Sequence, residues 1–315
     1  MSNIPDRILE NDFIALKRCK HGIFAFNRND SFVGRSLDIY GEWCESEMAL
    51  FDKIVPPKSL VIDVGANIGT HTVFLAKKVG IGGRVLAFEP QRLVYQTLCA
   101  NVALNALTNV NCVHVAIGDN RESITVPLLN PRAEFNFGEL SLLDQTQGET
   151  VSKIRIDDLA LPRCALIKMD VEGMEIDVIR GATKTITTHH PLLFVENNRP
   201  KGSPELVEAL SDLGYKCWWH IASYFNPNNF FQNERNIFSR CSPEANMLCI
   251  HESRSTDINL PMVLDKNDNW VEAYKRTIGQ KSKALPIYCI GFRPAIGGSC
   301  GIDCLGAAVR LTSRL

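Results

Sequence analysis

No apolar run in this sequence approaches the roughly 18–20 residues that a membrane-spanning helix needs, which argues against a helical membrane protein. Nor is there a charge surplus. The 34 basic and 35 acidic side chains leave a formal −1, so the overall balance gives no support for nucleic-acid or membrane-surface binding. None of the eleven cysteines forms a Cys-x-x-Cys pair, which disfavours a zinc site or a thioredoxin-like redox pair. The start, MSNIPDRILENDF, lacks a basic stretch followed by an apolar core. With an odd cysteine count, that fits reduced thiols and a cytoplasmic setting. No internal repeat and no low-complexity tract is present. What remains is a chain of 315 residues, 45% apolar and 22% charged. That suffices for one large α/β domain with additions, or roughly two domains.

Residues 1–58 read as an N-terminal β/α extension. A hairpin is predicted from Ala15–Cys19 and Ile23–Phe26, an extended piece at Leu37–Tyr40, and a helix over Glu45–Ile54, stopped by Pro56-Pro57. From Ser59 strands alternate with amphipathic helices. Leu60–Val64 has the continuous apolarity of a strand covered on both faces. A helix at 70–79, a strand at 84–88, a helix at 92–105 and a strand at 110–117 follow. This order implies right-handed crossovers and a parallel sheet. A hairpin is inserted over 120–158. The alternation resumes with a strand at 165–169, a helix at 174–188, a strand at 192–195, a helix at 204–213 and strands at 215–219 and 246–251. The core domain is thus 59–251. Residues 252–315 form a tail of undecided structure, with a short helix at 270–276.

The most informative segment is VIDVGANIGTHT, 61–72, at a strand-to-helix junction. Gly65 and Gly69 let backbone approach a ligand, and the following helix N-terminus favours an anion. Glu89 ends the next strand, where a carboxylate can accept both hydroxyls of a ribose. The third glycine of G-x-G-x-x-G is missing, and Asp63 would repel a pyrophosphate. Beside an ammonium or sulfonium Asp63 makes sense, and S-adenosylmethionine carries both together with a ribose diol.

The segments VIDVGANIGTHT, AFEPQ, NVALNAL, VHVAIGD and LIKMDVEGMEIDVIRGA resemble, in order and spacing, the FkbM family of S-adenosylmethionine-dependent methyltransferases. PLLFVENN, the FNPNNF loop and ANMLCI are similar too, and the resemblance covers about residues 40–251. It implies a Rossmann-like class I methyltransferase fold of α/β class: a seven-stranded, mostly parallel sheet with helices on both faces and an antiparallel last strand. It also implies methylation of a saccharide or small-molecule hydroxyl, with a peptide or amide nitrogen as the alternative. A non-catalytic binding module is a third reading. No nucleic-acid or membrane partner is implied, and a homo-oligomer is compatible with it.

By the same resemblance Asp63, Gly65, Ala66, Asn67 and Gly69 hold the methionine end of the cofactor. Glu89 binds the ribose, with Pro90 and Gln91 beside the adenine. Ala116, Ile117 and Asp119 supply the adenine edge, and Asp170 lies next to the sulfonium.

A hydroxyl or amide acceptor benefits from a general base. Glu172, His71 and Glu196, at the carboxyl ends of strands, are the candidates in that order. Asn197, Asn198 and the loop residue Asn229 are candidates for acceptor contact. Trp218, Trp219, Tyr224, Phe225, Phe230 and Phe231 form an aromatic concentration that serves as core or as an acceptor platform. His189-His190 read as a solvated helix end. Asp170, Glu172 and Asp177 leave a divalent-metal cluster incomplete, so no metal is expected.

Overall fold

The computed structural model describes residues 7–138, 145–254 and 258–280. At the N-terminal end β1 (Arg7–Glu10), β2 (Ile14–Cys19) and β3 (Gly22–Asn27) make an antiparallel meander. The stretch expected to be extended at Leu37–Tyr40 is instead the second half of a helix, α1 (Val33–Tyr40). Asp30 caps that helix by accepting from the Phe32 and Gly34 amides at 3.1 and 2.7 Å. Val33, Leu37 and Tyr40 fall on its buried side at i, i+4 and i+7. Gly41, at φ 68, ends it in the left-handed region. α2 (Glu45–Ile54) follows where the apolar spacing places it.

β4 (Leu60–Val64), α3 (Thr70–Val79), β5 (Arg84–Phe88), α4 (Arg92–Leu104) and β6 (Val110–Val113) then alternate. The strand expected over 110–117 is divided. After Val113 the chain leaves the large sheet, and β7 (Ala116–Ile117) pairs parallel with β9 (Glu149–Ile154), which pairs antiparallel with β8 (Glu122–Val126). β10 (Leu166–Met169) resumes the large sheet. The helix expected over 174–188 is two, α5 (Glu175–Gly181) and α6 (Thr183–His189). The Asp157 carboxylate starts the second by accepting the Lys184 and Thr185 amides at 2.8 and 2.7 Å. β11 (Leu192–Glu196), α7 (Ser203–Asp212), β12 (Tyr215–Ala222), β13 (Glu244–His251) and α8 (Trp270–Gln280) complete the order.

The large sheet runs β12-β13-β11-β10-β4-β5-β6. β13 is antiparallel to both neighbours, and the other adjacent pairs are parallel. This is the seven-stranded, Rossmann-like arrangement of the class I methyltransferases. Helices cover both faces. On one, Ile62, Ile167, Leu193 and Cys249 pack with Val178, Ile186 and Leu206 of α5, α6 and α7. On the other, Val61, Leu166, Phe194 and Leu248 pack with Phe51 of α2 and Leu75 and Val79 of α3.

Residues 258–280 dock beside β12: the Trp219 amide donates to the Pro261 carbonyl at 2.7 Å, and the Val263 amide to the Cys217 carbonyl at 2.9 Å. Asp268 holds the Trp219 indole at 3.1 Å and the Arg276 guanidinium through two bonds of 2.7 Å. The eight cysteines among the described residues are free thiols. No helix among the described residues is long and apolar enough to cross a membrane. The expectations for 281–315 lie outside the described residues.

Candidate active site

One face of the large sheet changes character as its strands reach their carboxyl ends. Side chains on a strand return to the same face every second residue. On the face covered by α2 and α3, apolar Val61 gives way to Asp63, Leu166 to Lys168, and Phe194 to Glu196. β13 enters from the same edge with Glu244, then Asn246, before Leu248. β12 contributes His220 beyond Trp218. The strands thus carry a buried core below and a row of ionisable groups above it.

The glycine turn sits at one end of this row. A Cβ on Gly65, at φ 73, would lie 1.8 Å from the Asp170 carbonyl oxygen, and a Cβ on Gly69, at φ 88, would lie 2.6 Å from Leu98 Cδ1. Backbone and turn therefore approach more closely than any side chain permits. The Gly65 and Ala66 amides both donate to the Phe88 carbonyl at 3.0 Å. The buried Glu89 carboxylate accepts the Asn67 amide and the Gln91 amide, each at 2.9 Å. Burial pushes its pKa up to about 7 against those two bonds, with Asp63 and Asp170 adding to the shift. Gln91 caps α4 by accepting the Leu93 amide at 3.2 Å, and its amide donates to the Pro127 carbonyl. Pro90 accepts from the His114 ring at 2.9 Å, and that ring stacks on Tyr95. Ala116 and Ile117 are buried in β7, and Asp119 pairs with Lys153 at 3.4 Å.

Asp63 is fully buried. Its Oδ2 accepts the Thr72 hydroxyl at 2.6 Å, whereas Oδ1 has no hydrogen-bond donor among the described residues and faces Lys168 Nζ at 3.5 Å. Lys168 also reaches Asp170 at 3.2 Å. Burial opposes its charge, but Asp170, Asp63 and Glu47 outweigh burial and keep it protonated.

Carboxylates outnumber cations across the rest of the row. Glu172, on a left-handed backbone at φ 56, is bound by the Arg199 guanidinium. Glu196 accepts from the Asn198 amide; burial, then Asp170 and Glu172, push its pKa well up. One oxygen from each of Asp170, Glu172 and Glu196 lies within 4.8 Å of the others. Glu196 joins Asp170 and Glu172 in this group, whereas Asp177 lies by Arg180 at 3.5 Å.

Of the three base candidates, Glu172 and Glu196 come together and His71 stands apart. His71 is buried, with Nε2 against Glu47 Oε2 at 2.7 Å and its ring edge-on to Phe51. Burial and Lys168 depress its pKa to about 3, so it is a neutral structural partner. Asn197 points to the opposite face from Glu196, as alternation requires, and bonds Ser203 Oγ at 2.9 Å. Asn229 is also turned inward: its amide spans the Asn226 and Asn233 carbonyls at 2.9 and 2.7 Å and accepts the Asn233 amide. It staples its loop and does not face an acceptor. Asn198 remains exposed beside Glu196. The aromatic concentration divides as well, because Trp219 is fully buried under Asp268, whereas Tyr224 and Phe225 join Trp43, Phe32, Tyr40 and Phe238.

Four residues were not singled out from the sequence. Lys168 has a visible signal, a lysine inside the apolar strand LIKM. Glu47 shares the buried side of α2 with Phe51 and is held by Asn246 at 2.8 Å; burial raises it to about 7. Glu42 binds the Asn226 amide and the Phe230 backbone at 2.7 and 2.8 Å, fastening the 224–238 loop to the extension. Glu244 has no local signal at all.

Comparison with known proteins finds methyltransferases. The methyltransferase FkbM domain family matches residues 63–217. Methyltransferase sdnD of Sordaria araneosa is 26% identical over 198 residues, 51% of this chain and 75% of that protein. The hexuronic acid methyltransferase AglP of Haloferax volcanii is 25% identical over 185 residues, 57% of this chain and 72% of that protein. The crystal structure of methyltransferase FkbM from Methylobacillus flagellatus aligns with a TM-score of 0.39 at 17% identity, over 64% of this chain and 50% of that one. The similarity to the methyltransferase FkbM domain is thus carried by residues 63–217.

Proposed function

We propose that this chain transfers a methyl group from S-adenosylmethionine to a hydroxyl of a saccharide or another small molecule. The observation that carries the donor is the pairing of Asp63 and Glu89. Asp63 holds a buried oxygen without a hydrogen-bond donor in a site with a surplus of carboxylates, a setting suited to a ligand bearing positive charge. Glu89 accepts two amides and has about two acceptor positions left, the number a vicinal diol fills. Gly65 and Gly69 provide a cradle that a Cβ would block. The residues therefore fit the donor: Asp63 and the turn at its methionine end, Glu89 at the ribose, Gln91, Ala116 and Ile117 at the adenine. When bound, the donor supplies an electrophilic methyl on a sulfonium. The protein positions the acceptor and removes its proton, and such positioning carries much of the rate in a displacement of this kind.

The saccharide acceptor is supported by the similarity to a hexuronic acid methyltransferase. Titration calorimetry with S-adenosylhomocysteine and NAD tests the donor: micromolar binding of the first and none of the second is expected. Transfer from tritiated S-adenosylmethionine to uronic acid glycosides, neutral glycosides and peptides tests the acceptor. Labelled peptide alone would replace the hydroxyl reading with methylation at nitrogen.

A further inference from the structure

Resting on that reading, we propose that Glu244, presented by β13 and held by the phenol of Tyr224, faces the transferable methyl and takes the proton of the acceptor. The residue at that place needs a carboxylate on the charged side of the sheet, at the carboxyl edge of the strands, open to a ligand and not committed to a cation. His71 fails the first condition, because its ring is neutral and buried against Glu47. Glu172 fails the last, because the Arg199 guanidinium binds its carboxylate. Glu196 is almost fully buried and already accepts from Asn198.

Glu244 meets these conditions. It opens β13 opposite Ala222 of β12, two residues before Asn246, which lies opposite Glu196. Its side chain therefore stands on the face that carries Glu196 and Lys168, one strand further from the glycine turn. It is half-buried, and its partner is the Tyr224 hydroxyl, a neutral donor. The Tyr224 ring stacks on Trp43 at 5.3 Å and 25° and meets Phe32 edge-on at 5.4 Å, so the dyad has an aromatic wall beside it. Such a wall suits the apolar face of a sugar ring. The groups around the carboxyl are Glu47 from α2, Lys168 from β10 and Asp170 just after it, Glu196 from β11, Tyr224, and the buried Cys44 thiol. Burial first, then Glu47 and Asp170, raise its proton affinity to about 8, which matches a base working near neutral pH.

The step balances without a further reactant. The acceptor O–CH3 bond forms while the S–CH3 bond breaks, and that electron pair stays on sulfur to give a neutral thioether. The hydroxyl proton passes to a Glu244 oxygen and from there to solvent.

Two ligands of the donor site read this position without any acceptor. Sinefungin carries an ammonium where the methyl sulfonium stands, and S-adenosylhomocysteine has a neutral thioether there. Calorimetry at pH 8.5 gives the ratio of their dissociation constants. Wild-type protein is expected to prefer sinefungin. Glu244→Gln is expected to reduce that preference by at least about tenfold, leaving S-adenosylhomocysteine affinity within twofold. Retained S-adenosylhomocysteine binding shows that the variant is folded. If it is not, Glu244→Asp, which draws the charge back by one methylene, is expected to give an intermediate ratio. An unchanged ratio in the folded variant, or a ratio lost in Glu172→Gln but kept in Glu244→Gln, overturns the assignment. Failure of the wild-type protein to bind either ligand overturns the donor reading itself, and the assignment with it.

Discussion

Replacing Glu89 should separate the ribose contact from the rest of the donor site. Its carboxylate accepts the Asn67 and Gln91 amides at 2.9 Å each, so about two acceptor positions remain for a ribose diol. Losing charge-assisted bonds to two hydroxyls costs on the order of 2–3 kcal/mol, so Glu89→Ala should weaken S-adenosylhomocysteine binding by roughly 30- to 150-fold. Because that variant also frees the turn, the cleaner measurement is a double-mutant cycle with the 2′-deoxy ligand. Deleting the 2′-hydroxyl should weaken binding about tenfold in the wild type and hardly at all in Glu89→Ala. The pKa of about 7 adds a second test. Ligand hydroxyls donate to the ionised form, so wild-type affinity should fall as pH drops below 7, by up to about tenfold per unit. Affinity should be flat over the same range in Glu89→Ala. Equal loss from the 2′-deoxy ligand in both proteins, or the same pH slope in both, would refute the assignment of Glu89 to the ribose.

Other measurements follow from the same geometry. Gly65→Ala combines a φ of 73 with a Cβ 1.8 Å from the Asp170 carbonyl oxygen, and should cost about 3 kcal/mol of stability and abolish S-adenosylhomocysteine binding in calorimetry. Gly202→Ala, with nothing within 4 Å of the new methyl, should leave both intact. Between pH 6.5 and 8 thermal stability should fall: Glu47 and Glu89, raised to about 7, and Glu244, raised to about 8, hold protons in the folded state that the unfolded chain has already released. Below pH 6.5 the trend should be opposed by His71, which is neutral when folded and binds a proton when unfolded. A melting temperature that rises from pH 6.5 to 8 would contradict the buried-carboxylate account. Glu42→Ala should speed proteolysis within 224–238, where it removes two acceptor contacts at 2.7 and 2.8 Å, and leave S-adenosylhomocysteine affinity within about threefold.

The part of the site proposed to hold the donor was legible because its residues are local. Asp63, Gly65 and Gly69 lie on one strand and turn, and Glu89 ends the adjacent strand, so a motif and one strand spacing bring them together. Lys168 could have been read from the same logic, since a lysine in a strand covered on both faces needs a carboxylate beside it. The acceptor half is assembled from separations that no local pattern encodes. Glu47 meets Asn246 and Glu42 meets Asn226 across some two hundred residues. Asn197 and Asn229 were misread for a different reason. An Asn after a strand or in a turn offers the same donors and acceptor to its own backbone as to a ligand, and here each is used internally. The alternation along β11 does separate Asn197 from Glu196, and that inference was available from the strand alone.

The residues before the glycine turn are therefore part of the site's construction. α2 brings Glu47 against His71, fixing the first turn of the helix that follows the Gly65–Gly69 turn, and adds a carboxylate that favours the charge on Lys168. The segment between α1 and α2 brings Glu42 and Trp43 against the 224–238 loop, with Tyr40 donating to the Arg235 carbonyl at 2.7 Å and accepting the Ile237 amide at 2.8 Å. Asn101 of α4 fastens the β-meander to the same region, bonding Ala25 on both sides and the Ile68 carbonyl at 2.7 Å. Each contact joins one element of the sheet's carboxyl edge to the extension. The loop bearing Tyr224 is consequently held from outside the sheet as well as through Glu244 of β13, and its position relative to Glu244 depends on Glu42 and Tyr40. Specificity for the acceptor should then vary with residues 40–43 as strongly as with the loop itself, while the donor contacts, built on β4 and β5, stay constant.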